Sequence, residues 1–130
     1  MRRRLPLPRP FRHAPCVLIC DDEPSLRELV RVSLDRHYRF LEAEDGHESL
    51  ELARNKRPDL VILDLMMPGL NGLDVLAHIR ADPALERIRV IVLTAQPESS
   101  ERAAELGADE VIVKPFSPQE LAATARSLLG

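Results

Sequence analysis

DLVILDLMMPGLNG, residues 59–72, carries four branched aliphatic residues in a row, Leu60 to Leu63, with a single carboxylate, Asp64, directly after them. A run without polar alternation is how a strand buried on both faces reads. The chain stays apolar through Met67 and then breaks at Pro68 and Gly69. The stretch is therefore an interior strand that delivers one acid to its carboxyl end. The same unit recurs on either side. Apolar runs lie at Cys16–Cys20, Phe40–Ala43, Val90–Leu93 and Val111–Val113. Helical spacing fills the gaps. Pro24 to Arg36 carries Leu26, Leu29, Val30 and Leu34, and His47 to Asn55 carries Leu50 and Ala53. Leu73 to Arg80 carries Leu73, Leu76 and Ile79, and a weaker pattern from Glu98 to Leu106 stops at Gly107. Pro118 to Leu129 carries Leu121, Ala125, Leu128 and Leu129. Strict alternation of strand and helix implies a parallel sheet covered on both faces. With right-handed crossovers, this predicts an α/β, doubly wound, five-stranded parallel sheet of order 2-1-3-4-5.

The chain has 130 residues, 45% apolar and 30% charged, which fits one globular domain of ordinary size. Residues 1–15 hold five arginines, four prolines and no acid, and read as a disordered Arg/Pro-rich tail before a domain over residues 16–130. The net charge of -3 thus splits into +5 on the tail and -8 on the domain. A domain that acidic lacks the electrostatic footprint of a nucleic-acid binder. No apolar run approaches the ~18 residues of a membrane span, and no apolar segment follows the N-terminal basic residues as a secretory signal would require. A cytoplasmic address is the expectation. Cys16 and Cys20, placed on one strand, would stand ~13 Å apart, too far for a disulfide or a shared metal. They read as small core residues. His13, His37, His47 and His78 show no ligand spacing.

In a sheet of this order, ligands bind beyond the carboxyl ends of the strands. The residues found there are Asp21, Asp22 and Glu23 after the first run, Asp64 after the third, Thr94 after the fourth and Lys114 after the fifth. Singly, each has an ordinary explanation: a helix cap for Asp64, turn acids for Asp21 and Asp22, a hydroxyl turn for Thr94, a surface cation for Lys114. Jointly they do not. Three carboxylates at one sheet end repel at low effective dielectric and call for a cation. Hard oxygen donors with room for water suit Mg²⁺. Sixteen of the eighteen basic residues are Arg, so a Lys at position 114 marks a place where a point charge matters. A carboxylate beside a metal, an ammonium and a hydroxyl is an arrangement for in-line phosphoryl transfer.

These residues resemble a family. VLICDDEP (17–24), LVILDLMMPGLNG (60–72), VIVLTA (90–95) and GADEVIVKPF (107–116) are similar, in order, to the receiver domain of two-component response regulators, with its flavodoxin-like (βα)5 fold. The resemblance implies that Asp64 is the phosphoacceptor, charged by a histidine kinase, a phosphotransfer protein or a small acyl phosphate. It implies Mg²⁺ as cofactor, held by Asp22, Asp64 and the backbone carbonyl of Met66, with Asp21 acting through water. Lys114 would pair with the phosphoryl group and Thr94 would turn toward it. Pro68 and Gly72 would shape the loop after Asp64, and the Lys114–Pro115 bond would be cis. The protein would be a switch rather than a turnover enzyme, with effectors or a second copy engaged through the face of helix 4, strand 5 and helix 5.

Two positions depart from the family pattern. Val111 stands where an aromatic residue usually moves with the threonine, and the stretch from Thr94 to Gly107 is about two residues short, so the relay to partners is expected to be atypical. Met66 and Gln96, each two residues past a site residue, flank the expected path of attacking water; Met66 should slow autodephosphorylation. Three other readings are weaker matches. A pseudo-receiver that binds without phosphorylation would not need the full Asp, Thr and Lys set. A dehalogenase-type phosphatase would want an acid where Met66 stands. A flavin protein would want a Gly/Ser/Thr-rich phosphate loop where three acids stand. The chain ends with its fifth helix at Gly130, as either a stand-alone receiver or part of a longer protein.

Overall fold

The computed structural model describes residues 14–34 and 37–130. Residues 1–13 of the expected tail, and the expected end of the first helix at Arg36, lie outside them. Ala14 and Pro15 are tied to the sheet: the Arg39 backbone N–H donates to the Pro15 carbonyl at 2.9 Å, and its Nε donates to the Ala14 carbonyl at 3.0 Å.

Five strands, β1 (Cys16–Cys20), β2 (Arg39–Ala43), β3 (Leu60–Asp64), β4 (Arg89–Thr94) and β5 (Glu110–Val113), form one parallel sheet. Its order is β2-β1-β3-β4-β5, as the sequence predicts. The helices between them are α1 (Pro24–Leu34), α2 (Gly46–Lys56), α3 (Gly72–Ala81), α4 (Ser100–Glu105) and α5 (Pro118–Leu129). Strand side chains alternate between two cores. Val17, Ile19, Leu60, Ile62 and Ile91 meet Val30 and Leu34 of α1 and Leu121 and Ala125 of α5. Leu18, Cys20, Val61, Leu63 and Val92 meet the side packed by α2 and α3. Both faces are buried, so β1 and β3 need no polar alternation. Each fully buried Leu, Ile or Val contributes about 1.5–3 kcal/mol by leaving water. Both cysteines are free and buried, as expected of core residues.

Caps fix where the helices begin. Asn71 accepts the Asp74 N–H at 3.0 Å and starts α3. Asp45 accepts the Glu48 N–H at 2.8 Å, while the Glu48 carboxylate takes the Glu44 N–H at 2.8 Å. Ser117 caps α5 through the Glu120 N–H.

The expected helix from Glu98 to Leu106 is divided. A 3-10 turn occupies Pro97–Ser99, and only Ser100–Glu105 is α-helical. Pro97 has no N–H to give, and the Ser99 N–H bonds back to the Gln96 carbonyl at 2.9 Å, the tighter i to i+3 closure. Of α4 only Ala103 is fully buried, so the helix has little apolar face to extend it. Gly107, at φ 106°, then turns the chain into β5. Arg80 of α3 holds this corner. It donates to the Gly107 carbonyl at 2.8 Å, the Ile88 carbonyl at 2.7 Å and Asp109 Oδ2 at 2.9 Å.

Candidate functional site

The strand order places the ends of β1, β3, β4 and β5 side by side. Asp21 and Asp22 follow β1, Asp64 ends β3, Thr94 ends β4 and Lys114 follows β5. Asp64 is in register with Leu93, so Thr94 lies one residue further along the adjacent strand. The Lys114 N–H in turn donates to the Thr94 carbonyl at 2.8 Å, locking the end of β5 to β4. The Lys114–Pro115 bond is cis.

Asp21, Asp22 and Asp64 bring one oxygen each to within 4.8 Å of one another. Asp21 and Asp64 are buried and Asp22 is exposed. Lys114 Nζ stands 3.5 Å from Asp64 Oδ2 and 3.9 Å from Asp21 Oδ2. Asp64 Oδ1 accepts the Met66 N–H at 3.1 Å, which turns the loop back over the carboxylate. Gly72 allows that turn: a Cβ there would stand 2.6 Å from the Asp64 carbonyl oxygen and 2.5 Å from Leu65 Cα. Asp21 Oδ1 accepts the Glu23 N–H at 2.9 Å. Its other oxygen is buried and accepts no hydrogen bond among the described residues. Burial pushes the Asp21 carboxyl up to about 6, against the Glu23 hydrogen bond, with the nearby charge of Asp64 adding to the rise and Lys114 opposing it.

An orphaned carboxylate oxygen beside two further carboxylates is a set of hard donors suited to a small divalent cation. One ammonium shared between Asp21 and Asp64 does not saturate their oxygens. The residues present therefore fit Mg²⁺.

Thr94 is fully buried, and its hydroxyl is already engaged. It accepts the Gln96 N–H at 2.9 Å and lies 3.3 Å from the Gln96 carbonyl oxygen, a local hydroxyl turn. The Gln96 side chain faces Ser99, whose hydroxyl lies 3.4 Å from Gln96 Oε1. Met66, two residues past Asp64, is 58% exposed. Val111 is half-buried and packs against the core on the α2–α3 side.

One residue escapes a reading of strand ends. Arg27 of α1 donates from Nη1 to the Asp21 carbonyl at 2.7 Å and from Nε to Glu42 Oε1 at 2.8 Å. Its acidic partner Glu42 lies at an exposed position of β2, so the charge alone carried no signal that a cation would meet it.

A doubly wound sheet with an acidic pocket and a lysine at its carboxyl end defines a class of phosphoryl-handling domains, and the comparisons narrow the class to one family. The profile of the response regulator receiver domain matches residues 17–126, and the chain belongs to that family. It is 45% identical over 116 residues to the probable transcriptional regulator ycf27 of Guillardia theta, covering 87% of this chain and 44% of that protein. It is 38% identical over 116 residues to the phosphate regulon transcriptional regulatory protein PhoB of Pseudomonas aeruginosa, covering 87% and 51%. The chain thus spans about half the length of these curated relatives. The receiver domain of AraT, a response regulator from Geobacillus stearothermophilus, superposes with a TM-score of 0.81 at 34% identity, covering 89% of this chain and 93% of that one. Two-component signalling through a receiver domain is the function class that this membership defines. Among the described residues no helix is long and apolar enough to cross a membrane.

Proposed function

We propose that the protein is a phosphorylation-dependent switch in which Asp64 accepts a phosphoryl group from a histidine kinase, a phosphotransfer protein or a small acyl phosphate. The supporting observation is the meeting of Asp21, Asp22, Asp64 and Lys114 at one sheet end, with a buried Asp21 oxygen left without a hydrogen bond. An oxygen of Asp64 attacks phosphorus in line. The bond from phosphorus to the donor's imidazole nitrogen or acyl oxygen breaks, and the donor leaves with the bonding pair. Lys114 pairs with the phosphoryl oxygens, and Thr94 gives up its turn with Gln96 to donate its hydroxyl to one of them. Asp22, Asp64 and the Met66 carbonyl, with Asp21 acting through water, would hold Mg²⁺, which would supply positive charge against the transferred group. The exposed Met66 side chain screens the acyl phosphate from water and lengthens its life.

The protein acts once per phosphorylation rather than as a turnover enzyme, and it works in the cytoplasm. Its output, to an effector or a second copy, runs through the face of α4, β5 and α5. Val111 and the divided α4 lie on that face, so the output relay lacks its usual aromatic arm.

Intact mass after incubation with acetyl phosphate tests the reading. One Mg²⁺-dependent phosphoryl adduct is expected on the wild type and none on Asp64→Asn. An adduct that survives Asp64→Asn, or none on the wild type with any donor, overturns it.

A further inference from the structure

We infer that Arg27, outside the acidic pocket, is a positioning residue for the metal ligands; this rests on the reading of the pocket as a Mg²⁺ site. The carbonyl that Arg27 Nη1 holds at 2.7 Å belongs to the peptide joining Asp21 to Asp22. On the other side of Asp21, its N–H donates to the Ala43 carbonyl at 3.0 Å. With the N–H and the carbonyl of Asp21 both held, the peptide plane between the two acids is fixed. That plane sets the torsions on its two sides, ψ of Asp21 and φ of Asp22, and hence the relative aim of the two carboxylates.

Asp21 has its own restraint in burial and in the Glu23 N–H. Asp22 is exposed, so its direction depends more on the backbone beneath it. Arg27 is itself anchored. Its Nε bonds Glu42 Oε1 at 2.8 Å, Arg31 Nη1 stands 3.4 Å from Glu42 Oε2, and Arg31 also pairs with Glu28. The Arg27 side chain is only 14% exposed. Its own N–H bonds the Glu23 carbonyl at 3.1 Å, which closes the first turn of α1 against the acidic loop. The fork is the essential feature: Nε and Nη1 of one planar group reach two acceptors, one on β2 and one in the loop after β1. A lysine ammonium keeps the charge but not that planar pair of directions.

Calorimetric titration with Mg²⁺ tests this on the wild type, Arg27→Ala, Arg27→Lys and Glu42→Gln, with thermal unfolding recorded for each. Arg27→Ala should remain folded and bind Mg²⁺ roughly tenfold more weakly, the usual scale for loss of a residue that orients metal ligands. Arg27→Lys should stay closer to Arg27→Ala than to the wild type, and Glu42→Gln should show a smaller weakening of the same sign. Phosphorylation by acetyl phosphate should need more Mg²⁺ in Arg27→Ala yet reach a similar rate at saturation, because the attacking oxygen on Asp64 is untouched. If Arg27→Ala does not fold, Glu42→Gln carries the test by the same titration. Folded variants that bind Mg²⁺ like the wild type overturn the assignment, as does full restoration by Lys. A wild type that binds no Mg²⁺ overturns both the assignment and the metal site beneath it. A wild type that binds Mg²⁺ but takes no phosphoryl group overturns the phosphoacceptor reading alone.

Discussion

Lys114 Nζ lies 3.5 Å from Asp64 Oδ2 and at nearly the same range from Asp21 Oδ2, 3.9 Å, so one cation serves two buried acids. The ammonium therefore does two jobs. It offsets repulsion in the metal-free pocket, and it stands where a phosphoryl group on Asp64 would bring new negative charge.

Replacing it separates the two jobs. Lys114→Met should lower the stability of the metal-free domain by about 1–3 kcal/mol at neutral pH, because buried carboxylates lose their partner. Mg²⁺ affinity should hold or rise, since the ammonium no longer competes for the same oxygens. The rate of phosphorylation by acetyl phosphate should fall more than tenfold. Urea unfolding with and without Mg²⁺, followed by intact mass, reads all three.

Asp21 sets a pH dependence. Its carboxyl lies at about 6 in the fold against 3.8 in an open chain, with burial as the main cause. The folded state holds this proton more tightly than the unfolded state. Its contribution to stability is thus present in full below 3.8 and lost as pH climbs through about 6. Asp21→Asn should stabilise the metal-free domain relative to wild type, by a margin that grows between pH 4 and 6 and then levels off. Mg²⁺ should shrink the margin. Paired urea midpoints across pH check the sign.

Cys20 should be chemically silent in the folded protein. Burial pushes its thiol up from 9.0 to about 12, a roughly thousandfold smaller thiolate fraction at neutral pH. Desolvation raises the Cys16 thiol as well. A disulfide reagent should label neither thiol on the timescale of free cysteine and both once denaturant unfolds the chain.

Gly107→Ala should cost about 1–3 kcal/mol, the scale of backbone strain at a positive φ. The residue sits at φ 106°, and an added Cβ would meet Arg80 Cγ at 2.8 Å. The damage should reach the corner that Arg80 holds, and hydrogen exchange at Ala108 and Asp109 should quicken more than exchange in β1.

Met66→Asn should shorten the life of the adduct on Asp64. Less cover over the acyl phosphate should speed its loss about tenfold, equivalent to ~1.4 kcal/mol of barrier. The decay of the adduct mass after removal of acetyl phosphate measures it.

The sheet was legible because β1, β3 and, after its exposed first residue Arg89, β4 are buried on both faces and carry nothing but apolar side chains until their carboxyl ends. Strand order then followed from connectivity, and the position of Asp21, Asp64, Thr94 and Lys114 from strand order. What stayed hidden was direction. A hydroxyl at a strand end tells nothing of its partner, and Thr94 is turned toward the Gln96 backbone. A long polar side chain on a helix reads as solvated, yet Arg27 bends over to a backbone carbonyl that no sequence pattern encodes. The division of α4 is a third case. The pattern from Glu98 onward is helical, but local closure at Pro97–Ser99 and the lack of buried surface beyond Ala103 leave one short helical piece.

The pocket draws its residues from four strand ends, spread along the chain from Asp21 to Lys114, and no two neighbouring strands of the sheet supply them all. It behaves as a logical conjunction. A chain that has folded only its first half has acids and no ammonium; one that has lost β1 has an ammonium and a single acid. On the proposed reading neither offers a phosphoryl donor a finished target, so a nascent, clipped or half-melted copy would stay silent, and readiness to carry the signal would certify that those four strands are in place together.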